Sequence, residues 1–246
     1  MFTSKREFTL GPVQKVSAMP PSTDIVAACH GIEVPASPHL SPRMIESIST
    51  GRYESTEIAA GLSYFPEGAR ILELGAGAGV VGAVLARNAK PSAMMSVEAN
   101  PGLIPHIREL HAHNGVDKLI DLRHAVVLAA PDAPESVEFF VRGNFLGSSL
   151  TPLRQERARA VSVPVLRYDD LKREFPHDAI MMDIEGGELD FLRHADLDGV
   201  NVLVGEFHRM IYGREGLREC RALLAAKGFK PDENHPNTGV WVMRRA

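Results

Sequence analysis

Asp183, Glu185 and Glu188 fall within six positions of one another, around the pair Gly186-Gly187. The apolar run Ala179 to Met182 leads straight into Asp183, so a buried strand would deliver that acid at its end. Three carboxylates this close repel one another, a tension that a solvated helix start relieves and a ligand crevice can use. Asn201 to His208 repeats the arrangement: a buried strand ends in Glu206, and His208 follows two positions later on the same face. The chemistry open to such groups is proton transfer. Asp183 or His208 is the candidate base, and Glu185 would orient an acceptor or a cofactor.

A second constellation lies upstream. Ile71 to Leu74 is apolar except for Glu73, and Gly75, Gly77 and Gly79 then allow a tight turn and a close approach of ligand to backbone. Gly77 to Gly82 also satisfies the dinucleotide string G-x-G-x-x-G, so the spelling alone admits two ligand classes. Glu73 separates them. A carboxylate two positions before the first glycine repels a pyrophosphate but attracts the ammonium and sulfonium of S-adenosylmethionine. Glu98 closes the next apolar run, Ala93 to Val97, nineteen positions after Gly79. A parallel second strand would set its two oxygens against ribose hydroxyls.

These residues need alternating strands and helices to bring them together. Residues 1–50 carry Pro12, Pro20, Pro21, Pro35, Pro38 and Pro42 and predict an extended arm: a lid, an oligomer contact or a terminus lying loosely on the surface. Met44, Ile45 and Ile48 suggest a short helix, and Ser55-Thr56-Glu57 starts another that stops before Pro66-Glu67-Gly68. Beyond the glycine helix, Asn100 would cap a helix with Pro101 at its first position and Leu103, Ile107 and Leu110 as its buried stripe. Leu119 to Leu128 reads as a third strand, with His124 and Ala125 where adenine contacts fall in such folds. Residues 136–142 read as an extra strand, and the polar stretch Gly143-Asn144 with Gly147-Ser148-Ser149 as a border of the acceptor pocket. Val163 to Leu171 turns from extended chain into a helix, Leu217 to Lys227 is an amphipathic helix, and strands follow at Phe229 and at Gly239 to Arg244.

Composition narrows the partners. The 246 residues carry a net charge of −4 without a Lys/Arg cluster, which argues against nucleic acid and anionic membrane surfaces. Cys29 and Cys220 are the two cysteines, without metal-like spacing. No apolar stretch approaches the length of a bilayer span, and the opening residues lack a signal core, so the cytoplasm is the expected compartment.

In sum of motifs and their order, the chain resembles the FkbM-type methyltransferases from about Gly51 to Phe229. The resemblance rests on Tyr53-Glu54, Glu73 to Gly79, Glu98-Ala99-Asn100, Val163-Pro164 to Leu171, Asp183-Ile-Glu-Gly-Gly-Glu188 and Glu206-Phe-His208. It implies a Rossmann-like, doubly wound α/β domain over 51–246, with a mostly parallel seven-stranded sheet and one antiparallel strand, preceded by the extension. It also implies O-methylation of a small molecule or sugar with S-adenosylmethionine. Tyr53, Glu73, Gly75, Ala76, Gly77, Gly79, Glu98, Ala99, Asn100, His124, Ala125 and Asp183 would then hold the cofactor. The same acids could hold a divalent cation, as in some sugar methyltransferases, although no spacing indicates one. A nicotinamide oxidoreductase would leave Glu73 and Asp183 without a role, and a non-catalytic S-adenosylmethionine-binding protein would not need Glu206 and His208.

Overall fold

The computed structural model describes residues 24–142, 158–236 and 239–246, so the polar stretch at 143–149 lies outside the described residues. The middle of the molecule is strand β3 (Arg70–Leu74). Ile71 and Leu72 point to opposite sides of it and both are fully buried, as a strand covered on two faces requires. Helix α3 (Val80–Asn88), strand β4 (Ala93–Glu98), helix α4 (Ile104–His113) and strand β5 (Ile120–His124) carry the chain outward in one direction. The chain then returns to the other side of β3 for β9 (Ala179–Met182), helix α6 (Glu188–His194), β10 (Val202–Glu206), helix α7 (Arg209–Ala226), β11 (Phe229–Pro231) and β12 (Val240–Arg245).

The resulting sheet has seven strands in the order β11-β12-β10-β9-β3-β4-β5. β12 runs antiparallel to both neighbours, and the β10/β9, β9/β3, β3/β4 and β4/β5 pairs are parallel. This is the doubly wound sheet the sequence implies. The winding reverses between β3 and β9, and at that point the carboxyl ends of adjacent strands splay apart into a crevice. One apolar core, including Ile71, Val84 and Met181, fills the α3 side, and another, including Leu72, Ile180 and Leu203, fills the α6 and α7 side.

Several elements differ from the sequence reading. The segment expected as an extended arm is, from residue 24, part of the body. β1 (Ile25–Cys29) and β2 (Ile32–Pro35) form a hairpin whose two turn residues, His30 and Gly31, have φ of 48° and 77°. Positive φ at both positions matches the twist of the flanking strands. Ile32 and Val34 are buried in the α3-side core, and the Asn114 side chain accepts from the Glu33 N–H at 2.9 Å and donates to its carbonyl at 2.7 Å. Helix α1 (Pro42–Ser49), capped by Ser41, and helix α2 (Ser55–Tyr64) follow.

The expected strand Leu119 to Leu128 breaks at Ala125, whose N–H turns to donate to the Glu98 carbonyl at 3.1 Å. Past the break, β6 (Val126–Leu128) joins a separate three-stranded sheet, β6-β8-β7, with β7 (Ser136–Arg142) and β8 (Ala158–Arg167), which leads into helix α5 (Tyr168–Glu174). Asn100 does not cap α4. Its Oδ1 accepts from the Gly102 N–H at 3.0 Å, making a local turn, and the helix starts at Ile104 with Pro105 in its first turn. Helix α7 begins eight residues before the expected start at Leu217 and is interrupted at Gly213, where φ is 69° and ψ is −172°.

Candidate active site

The crevice at the reversal point is a cavity floored by the glycine turn. Gly75, Gly77 and Gly79 have φ of 87°, 54° and 78°, a region that disfavours side chains. A Cβ on Gly75 would lie 1.8 Å from the Asp183 carbonyl oxygen, so that glycine lets the turn close against the end of β9. A Cβ on Gly82 would lie 2.4 Å from Glu73 Oε2, so a second glycine makes room for the acid beneath α3.

Glu98 ties the turn to β4: its Oε2 accepts from the Gly77 N–H at 2.8 Å and its Oε1 from the Asn100 N–H at 2.7 Å. Burial pushes its carboxyl up to about 7 against the pull of those amides. A carboxylate has about four lone-pair positions, so Glu98 keeps acceptor capacity for a ligand. Glu73 is also buried and pushed up to about 7 by burial, with Ser96 donating to one oxygen. Its Oε1 has no protein partner, nor has the Asn100 amide nitrogen.

Of the residues singled out from sequence, Tyr53, Glu73, Gly75, Ala76, Gly77, Glu98, Ala99, Asn100, Ala125, Asp183 and Glu185 line this cavity. Gly79, His124 and His208 are not among its lining. Gly79 instead starts α3 against Ile107, and His124 Nε2 lies 3.1 Å from the Ala99 carbonyl and braces the loop after β4. His208 stands one layer behind the wall. Its Nε2 is 3.7 Å from Asp183 Oδ1 and 3.4 Å from Glu185 Oε2, and its Nδ1 is 3.0 Å from Glu188 Oε1.

Other lining residues were not legible as site residues. β6, the residue after it and β7 supply an apolar wall that includes Leu128, Ala129 and Phe139. Glu54, just before helix α2, and Glu57 within it meet Glu206 from β10 so that one oxygen of each lies within 4.8 Å of the others; Asp183, Glu206 and His208 are grouped as closely. Burial, then Glu57 and Glu206, push Glu54 up to about 7. Asp183 is raised well above the usual carboxylate range by burial and by Glu206, with His208 opposing. Burial lowers His208, but Glu188, Asp183 and Glu185 outweigh it and push it up to about 9. We read these groups as sharing protons around one imidazolium. No Lys or Arg lines the cavity among the described residues. The only sequence signal for Glu54 is its adjacency to Tyr53, because its reach depends on a left-handed φ of 44°.

A glycine turn at the reversal point of this sheet, with acids at the ends of three neighbouring strands, defines a Rossmann-like methyltransferase. The chain belongs to the FkbM methyltransferase family: the family model described as "Methyltransferase FkbM domain" matches residues 73–231. It is thus a methyltransferase that uses S-adenosylmethionine. The cavity suits that cofactor, because the unpartnered Glu73 and Asn100 atoms belong to its lining beside Gly75 and Gly77.

Solved structures are more distant. A protein of the NADB-Rossmann superfamily from Streptococcus agalactiae is 18% identical, covering 77% of this chain and 68% of that one, with a TM-score of 0.48. A ribosomal protein L11 methylase from Lactobacillus delbrueckii subsp. bulgaricus is 14% identical, covering 78% of each chain, with a TM-score of 0.47. Precorrin-6y C5,15-methyltransferase from Geobacter metallireducens is 14% identical, covering 78% and 87%, with a TM-score of 0.45. A comparison with curated proteins returned no match. No helix among the described residues is long and apolar enough to cross a membrane.

Proposed function

We propose that the protein O-methylates a hydroxyl group of an uncharged small molecule or sugar, with Asp183 as the base. The observation that carries this reading is the position of Asp183: it lines the cavity of the glycine turn, and its N–H donates to the Leu74 carbonyl at 2.9 Å. When bound, S-adenosylmethionine supplies an electrophilic methyl group. The protein has to align the acceptor and take its proton, and a carboxyl raised above its ordinary range by burial and by Glu206 suits that task. Asp183 receives the hydroxyl proton, and the His208 cation behind it keeps the carboxylate available before that transfer. The class of acceptor follows from charge. Among the described residues the wall has seven carboxyl side chains and no lysine or arginine, a charge balance that repels phosphates and carboxylates, disfavours nucleic acids and favours neutral polyols.

Two measurements test the reading. Near 100 times its dissociation constant, S-adenosylmethionine should raise the melting point by about 5 to 11 °C, while NAD and NADP leave it unchanged. Asp183→Asn should lower single-turnover methyl transfer to a hydroxyl acceptor by about 10² to 10⁴-fold while cofactor affinity changes less than about tenfold. A chelator should leave the wild-type rate unchanged, because His208 supplies the local positive charge. Stabilisation by NAD alone, or near-wild-type turnover of Asp183→Asn, would sink the proposal.

A further inference from the structure

We infer that Glu188 is a positioning residue of the reaction centre, holding His208 by Nδ1 so that Nε2 faces Asp183 and Glu185. This rests on the reading of Asp183 as the base. Glu188 is fully buried, yet it lines no part of the cavity. Its Oε1 accepts from the Gly186 N–H at 3.0 Å and lies 3.0 Å from His208 Nδ1. Among the described residues, His208 is the one cationic group within ion-pair distance of it. A fully buried carboxylate is retained only where a counter-charge and hydrogen bonds compensate it; here His208 supplies the charge and, with the Gly186 N–H, the hydrogen bonds to Oε1.

The two ring nitrogens then have separate tasks. With Nδ1–H donated to Glu188, the plane of the ring is set and Nε2 is directed outward, 3.7 Å from Asp183 Oδ1 and 3.4 Å from Glu185 Oε2. The other groups facing the His208 side chain are Glu206 from β10 and Glu54 from the start of α2, while the Tyr212 hydroxyl from α7 reaches the His208 backbone and Glu188. None of them is basic. The layers therefore run from a buried carboxylate through an imidazolium to the cavity acids, and the innermost group fixes the orientation of the middle one. A loop-holding role alone would require only the Gly186 contact. The geometry adds His208 to the same oxygen.

The first arm of the test needs no acceptor. In the full chain labelled with 15N-histidine, the 1H–15N spectrum should show a low-field, slowly exchanging imidazole N–H that disappears in His208→Gln. In Glu188→Gln the acceptor becomes neutral while its shape is kept, so this resonance should move upfield. The same variant should lower kcat for methyl transfer by about 10²-fold, with KM for S-adenosylmethionine within about threefold of wild type. Absence of the resonance in the wild-type protein overturns the inference whether or not the variant folds. So does a folded Glu188→Gln protein whose resonance or kcat matches wild type. If no hydroxyl compound is methylated but the resonance behaves as expected, the proposed reaction fails while the Glu188–His208 contact stands.

Discussion

Glu54 and Glu185 both line the cavity in the left-handed backbone region, with φ of 44° and 50°. That conformation costs a residue with a Cβ roughly 1–2 kcal/mol, so each acid is held in place by its surroundings. Burial has a parallel cost. Glu54, Glu73 and Glu98 are each raised to about 7, and His208 to about 9. The sign is the same for all four: a group whose folded value lies above its unfolded one stabilises the fold at low pH and loses that contribution as pH rises through the folded value. The ligand-free protein should therefore lose stability from about pH 4.5 to about pH 9, with Glu73 alone contributing on the order of 3 kcal/mol. Denaturant midpoints across this range give the check. A midpoint rising with pH over the same window would contradict the burial of these carboxyls, and Glu73→Gln should flatten the acidic half of the curve.

Between residues and fold, the element that matters most to the site is the first turn of α7. His208 precedes it, Arg209 to Tyr212 form a separate turn, and Gly213 then adopts φ 69° and ψ −172° before the helix resumes. That combination is essentially restricted to glycine. Nothing lies within 4 Å of where a Cβ would stand at Gly213, so the constraint is in the backbone and not in packing. Gly213→Ala should cost about 1–3 kcal/mol. Because the strain is released by moving the His208 turn, methyl transfer should fall more than in Gly199→Ala, a glycine with φ of 85° and open space around it. Equal activity in the two variants, measured at a temperature where both are folded, would show that the turn is held from elsewhere. Gly186 adds a contact to this turn, since a Cβ there would lie 2.4 Å from Ile211.

For the molecule as a whole, the β1-β2 hairpin closes the α3-side core and behaves as part of the domain. Ile32 is fully buried with Val84 and Leu110 in one cluster. Ile32→Ala should cost about 2–5 kcal/mol, a large part of the roughly 5–15 kcal/mol by which a domain is stable. Urea unfolding with a single transition and a lowered midpoint is the expected result. A cost below about 0.5 kcal/mol, the range for exposed positions, would mean that the hairpin lies loosely on the surface after all.

Local sequence determined a good part of this protein. Strand-end acids, glycine turns and helix starts are statements about near neighbours, so Glu73, Gly75, Glu98 and Asp183 could be named from their flanking apolar runs. The family resemblance those motifs carry implied a doubly wound sheet. Asn100 misled because capping and a local turn use the same side-chain oxygen, and only the packing of α4 chooses between them. The strand expected through Leu128 was continuous in pattern, but Ala125 donates to the carbonyl of Glu98, the last residue of β4, and β6 beyond it joins a second sheet. What tertiary structure alone decided is which distant groups meet. Glu54, Glu57 and Glu206 come from segments about 150 positions apart and converge because β10, separated from β3 by β9, lies beneath α2. His208 was legible as a strand-end histidine, but its place behind Asp183 depends on Glu188, a buried carboxylate whose demand for a counter-charge no local pattern expresses.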